Sequence, residues 1–91
     1  MLSVIKRRRE LSDLFTEYSM IREVYANHDF EMDHDTGTFI ILAKYDFDKT
    51  TLLYQMQKLF NMPIDFFVVT DPYSAIIKGN KIIWKENKWY L

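Results

Sequence analysis

Between residues 3 and 19 the apolar side chains Val4, Leu11, Leu14, Phe15 and Tyr18 recur at steps of three, four and seven, the spacing that lines them along one side of a helix. Ser3 supplies an N-cap for it. The pattern then changes. Ile21, Val24, Tyr25 and Phe30 bring β-branched and aromatic weight, which predicts a strand opening at Ile21 or Arg22 and running towards Phe30. "DHDTG" supplies turn residues, with Gly37 free to take a positive φ. "TFIILAKYD", residues 38–46, is nearly continuous apolar sequence, the mark of a strand covered on both faces. Two strands joined so closely form an antiparallel hairpin.

Asp48 can cap a second helix whose stripe is Leu52, Leu53, Met56, Leu59 and Phe60, stopped by Asn61 and Pro63. "PIDFFVVT", residues 63–70, reads as another hydrophobic strand with Asp65 inside it. "DPYSAIIKGN" reads as a turn and one or two helical turns closed at Gly79. "KIIWKENKWYL" ends the chain as a strand that folds into a small hairpin at Glu86 and Asn87. The expected order is helix, strand, strand, helix, strand, short helix, strand. That order specifies an α/β arrangement, a mixed sheet of about four strands with helices packed chiefly on one face.

Length and composition narrow the rest. A chain of 91 residues forms one domain, 1–91, around a single modest core. Apolar residues at 48% and aromatics at 16% exceed what that core needs, so a protein partner or a second copy of the chain is expected to meet the surplus. The absence of cysteine removes disulfides and thiolate zinc sites and favours the cytoplasm. No apolar run approaches the ~20 residues a membrane helix needs, and the N-terminus lacks a signal-peptide core. With net charge −1 the chain is not a general nucleic-acid coat, and Lys6, Arg7, Arg8 and Arg9 read as a solvated helix face rather than a phosphate contact. Trp84, Trp89 and Tyr90 read as core, or as a seam with a partner, rather than as a base-stacking platform. With only Gly37 and Gly79 present there is no glycine-rich phosphate loop, and no Ser-His-Asp or Cys-His spacing stands out.

The most chemically loaded stretch is "NHDFEMDHDTG", which brings Asp29, Glu31, Asp33, Asp35, His28 and His34 together. Strand alternation would put Asp29, Glu31 and Asp33 on one face and His28 on the other. That splits the cluster and makes it an acidic hairpin rather than a metal site.

The phrases "REVYANHD", "TGTFIILAKYD", "FNMPIDFFVVT" and "IIKGNKIIWKE", in this order, resemble the minimal nucleotidyltransferase domain of the polymerase-beta superfamily over about four-fifths of the chain. In that family a first strand ends in a Gly-Ser turn, a second opens with Asp-x-Asp, and a third carries a further carboxylate; together these hold the triphosphate and two Mg²⁺ ions. The matching positions here are His28 and Asp29 for Gly-Ser, Gly37 and Phe39 for Asp-x-Asp, or Thr38 and Ile40 in the neighbouring register, and Asp65 for the third carboxylate. A side chain and a negative charge at the Gly-Ser turn oppose the approach of triphosphate, and neither pair can ligate Mg²⁺. The resemblance therefore implies a catalytically inactive nucleotidyltransferase-like protein that acts as an interaction module without a cofactor, akin to the antitoxins of bacterial toxin–antitoxin pairs. The alternative is an active enzyme transferring AMP or another nucleotide with Mg²⁺ and ATP, using Asp65 with Asp33 and Asp35. A second alternative is a small nucleic-acid binder using the basic N-terminal helix.

Overall fold

A computed structural model describes residues 4–26, 37–61 and 63–90. A short 3-10 turn at Ile5–Arg7 leads into helix α1, Arg8–Glu17. The periodic stripe does what its spacing requires: Leu11 and Phe15 are fully buried, and Leu14 and Tyr18 pack at the margin of the core. Ser3 lies outside the described residues. Strands β1 (Ile21–Ala26) and β2 (Gly37–Ala43) pair antiparallel, as the hairpin reading requires. The expected extension of β1 towards Phe30 lies outside the described residues. β2 is shorter than its apolar run, ending at Ala43, and residues 44–49 cross irregularly to helix α2, Thr50–Phe60.

The C-terminal end of α2 is built as its sequence indicates, whereas its N-cap position is Lys49, without a side-chain cap bond, and Asp48 stands one residue before it. Asp48 Oδ1 accepts from the Thr50 backbone N–H at 3.0 Å and from its hydroxyl at 2.7 Å; these bonds hold its carboxyl below the usual carboxylate range. Asn61 closes the helix in the left-handed conformation with its N–H on the Gln57 carbonyl. Strand β3 (Ile64–Val69) then lies parallel to β2, which makes β2-α2-β3 a crossover unit.

Strands β4 (Lys81–Lys85) and β5 (Lys88–Trp89) complete a five-stranded mixed sheet in the order β3-β2-β1-β4-β5. Glu86 and Asn87, with φ of 50° and 62°, form the tight turn between them. Both helices cover one face. Leu11, Phe15, Leu52, Met56 and Phe60 join Val24, Phe39, Ile41, Phe66 and Trp84 in one core, with ring centroids 5.2 Å apart for Phe15 and Trp84 and 5.9 Å for Phe39 and Phe60.

The helical turns expected after β3 are absent: residues 72–73 and 75–79 are turns. Ile77, Lys78 and Asn80 each donate to the carbonyl three residues back, while Asp71 and Ser74 side chains accept the N–H groups of Tyr73 and Ile76 and so compete with helical bonding. Since β4 is parallel to β3 but three strand spacings away, the connection must run back along the sheet and across it, ~22 Å at ~4.8 Å per strand and ~3.3 Å per residue. The right-handed rule sends this return across the face opposite the helices, because it travels the opposite way from the α2 crossover. Ile40 and Leu42 point to that face and are buried.

Of the basic run, Lys6, Arg8 and Arg9 are exposed, as a solvated helix face requires, and Arg7 is half-buried. Arg7 Nε donates to the Leu59 carbonyl at 3.0 Å, in the last turn of α2, and its guanidinium stands 5.4 Å from the centre of the Phe60 ring. A cation is favoured at a helix C-terminus, so Arg7 ties the start of the chain to α2. Replacing Arg7 by Ala should cost ~1–2 kcal/mol in urea unfolding, from one charged hydrogen bond and one cation–π contact. Arg9→Ala, at an exposed position, should stay within ~0.5 kcal/mol.

Candidate functional site

Asp65 is the site residue that the sequence singles out most sharply. It lies near the start of β3, an edge strand, on the face away from the helices. Its Oδ1 accepts from Lys49 Nζ at 3.2 Å and from the Phe66 backbone N–H at 2.8 Å. Lys49 Nζ also donates to the Phe66 carbonyl at 2.7 Å. Both backbone groups of Phe66 therefore point away from β2, and a lysine–aspartate pair occupies them. Gln57 Nε2 treats the Ile64 carbonyl the same way at 3.0 Å. Three side chains thus close part of the free edge of the sheet, a place where an unpaired backbone invites another strand.

The Asp65 side chain is 59% exposed and that of Lys49 39%, so the ion pair itself is worth at most ~1 kcal/mol. The bond from the Phe66 N–H holds the Asp65 carboxyl below its ordinary value; burial opposes it, and the Lys49 ammonium adds to the lowering.

The β2–β3 register decides which β2 residues share Asp65's surroundings. Thr38 is its partner across the parallel pair, and Ile40 follows on the same face. Phe39 is fully buried among the helices on the opposite face, so Gly37 and Phe39 do not stand beside Asp65; the neighbouring register, Thr38 and Ile40, does. A threonine and a buried isoleucine adjoin the carboxylate. His28, Asp29, Asp33 and Asp35 lie outside the described residues. Among the described residues no three His, Cys, Asp or Glu side chains gather as a metal-binding group.

The aromatic candidates divide. Trp84 is 3% exposed, held in the core by Phe15 and by pairing of β4 with β1 through Val24, so it presents no surface to a partner. Its Nε1 finds no acceptor among the described residues. Trp89 packs against the same core, 6.3 Å from Phe15. Tyr90 remains exposed. Of the basic run, Arg7 is engaged with α2, and Lys6 and Arg8 also make interactions within the chain. Among the described residues no helix is long and apolar enough to cross a membrane.

Lys49 was not legible as a site residue. The available signal was its position: a lysine at the N-terminus of a helix opposes the helix dipole, so its ammonium needs another use. No family model, curated protein or solved structure matches this chain.

The segment Ile64–Val69 is hydrophobic and β-branched with Asp65 its single charge, the composition that stacks edge to edge when unprotected. Asp65→Ala and Lys49→Ala should therefore raise the rate of self-association several-fold in light scattering. Because the folded-state pKa of Asp65 is depressed, its contribution to stability is present above the unfolded value of about 3.9 and is lost as pH falls through the lower folded value. Asp65→Asn should accordingly flatten the acid limb of a stability-versus-pH curve below about pH 4 and leave neutral pH dependence unchanged.

Proposed function

We propose that this chain is a non-catalytic, nucleotidyltransferase-like protein-interaction module of the cytoplasm, antitoxin-like in its role, that binds a protein partner or a second copy of itself. The supporting observation is the state of Asp65. Its carboxylate, which the resemblance matches to the third metal-binding acid, accepts through Oδ1 from Lys49 and from the Phe66 N–H, and its neighbours across the register are Thr38 and Ile40 rather than acids. Two-metal phosphoryl transfer needs several oxygen anions facing one point. A carboxylate neutralised by its own lysine seals a sheet edge instead.

The apolar surplus of the composition has an outlet on the surface. Phe67 is 48% exposed on β3, and Tyr73 and Ile76 of the return connection are also exposed. Large aromatics are the residues that anchor interfaces of the usual ~800 Å² per partner. Exposed as they are, a partner can cover them without disturbing the core.

Calorimetry with ATP and Mg²⁺ should give no saturable heat, and co-expression with the product of the adjacent reading frame should yield a stoichiometric complex, or light scattering a dimer, that Phe67→Glu dissociates. Metal-dependent ATP binding in the micromolar range that Asp65→Asn abolishes would replace this reading with that of an active transferase.

A further inference from the structure

At the opposite end of β2 from Asp65 lies a polar cleft of about 280 Å³, lined by Ser19, Ile21, Arg22, Glu23, Lys44, Lys85 and Glu86. Its walls are the start of β1 and the ends of β2 and β4, so it opens at the carboxyl ends of parallel strands, the usual ligand-binding end of an open α/β sheet. Arg22 stands where the β1–β2 register shifts, between Ile21 and Glu23, an irregularity of the kind that re-aims a side chain at a sheet end.

The charges in the cleft are unequally satisfied. Glu23, whose side chain is 16% exposed, stands 3.9 Å from Lys85 Nζ and accepts from the Tyr25 hydroxyl at 3.3 Å. Arg22 and Lys44 form no side-chain hydrogen bond or ion pair among the described residues. Glu86 is exposed in the β4–β5 turn. Three cations against two carboxylates leave the cleft net positive, and one carboxylate already has its lysine.

We propose that this cleft is an anion site for a small phosphate monoester, held by Arg22 and Lys44 with Lys85 and the Ser19 hydroxyl beside them. Two unpartnered cations match a dianion better than a single carboxylate, and a guanidinium fork binds phosphate oxygens in pairs. The volume is just below the ~300 Å³ at which sites for drug-sized ligands begin, so a compact monoester fits it better than a nucleoside triphosphate. The site shares no residue with Asp65 or the exposed aromatics and stands independently of the interaction-module reading.

The test is an NMR titration of the full chain with inorganic phosphate and with phenyl phosphate, using acetate at matched ionic strength as the control. Expected are saturable shifts at residues 19–23, 44 and 85–86. Binding should weaken at least about tenfold, some 1.4 kcal/mol, in Arg22→Gln/Lys44→Gln. Both replaced side chains are exposed, so the thermal midpoint of the double variant should match that of the parent. Glu86→Gln should tighten binding by removing a like charge. Affinity for phenyl phosphate should rise between pH 5 and 7.5 as the second ionisation of a monoester, near pH ~6, completes, while acetate shows no such rise. Equal shifts with acetate, shifts centred on residues 6–9, or phosphate affinity unchanged in the double variant would overturn the assignment.

Discussion

Strand β2 is covered on both faces, and most of the architecture follows from that burial. Phe39 and Ile41 meet the helices while Ile40 and Leu42 are shielded on the far side. A strand with no wet face must lie inside its sheet, with a neighbour on each edge to satisfy its backbone. β1 takes one edge antiparallel and β3 the other in parallel. Parallel pairing requires a crossover, which α2 supplies on one face; the return from β3 to β4 then has to pass over the other.

The same arrangement pushes β3 to the border, where an apolar strand is a hazard. Lys49, Asp65 and Gln57 answer it by taking up the outward backbone groups of Ile64 and Phe66. Lys49 and Gln57 come from the start and the middle of α2, so the helix that covers the core also guards the edge. A residue that reads as a relic of catalysis serves as protection for the fold, and the two roles call for opposite electrostatics. A metal ligand must keep its lone pairs facing an open site, whereas an edge plug must spend them.

Charge is distributed unevenly for a chain so close to neutral. Of the N-terminal basic residues, Arg7 turns onto the C-terminal turn of α2 while Lys6, Arg8 and Arg9 are exposed. Arg22 and Lys44 stand instead at the strand ends, separated in sequence and brought together by the pairing of β1 with β2. A scan for basic runs finds the first group and misses the second.

Periodicity by itself determined the helices, the β1–β2 hairpin and the two-sided burial of β2, because helical and strand spacing write apolar faces directly into the order of residues. Local chemistry likewise determined the Asp48 bonds to Thr50 at the start of α2, the Asn61 stop and the Glu86-Asn87 turn, each a bond or a backbone conformation within a few neighbours. Only the tertiary structure decided that Thr38 rather than Phe39 adjoins Asp65, since register between distant strands comes from pairing and not from composition. It decided equally that Trp84 turns inward, that 72–73 and 75–79 form turns rather than a helix, and that Lys49 reaches Asp65 across 16 residues. Contacts of that range depend on where the chain returns in space, and no local pattern encodes the distance.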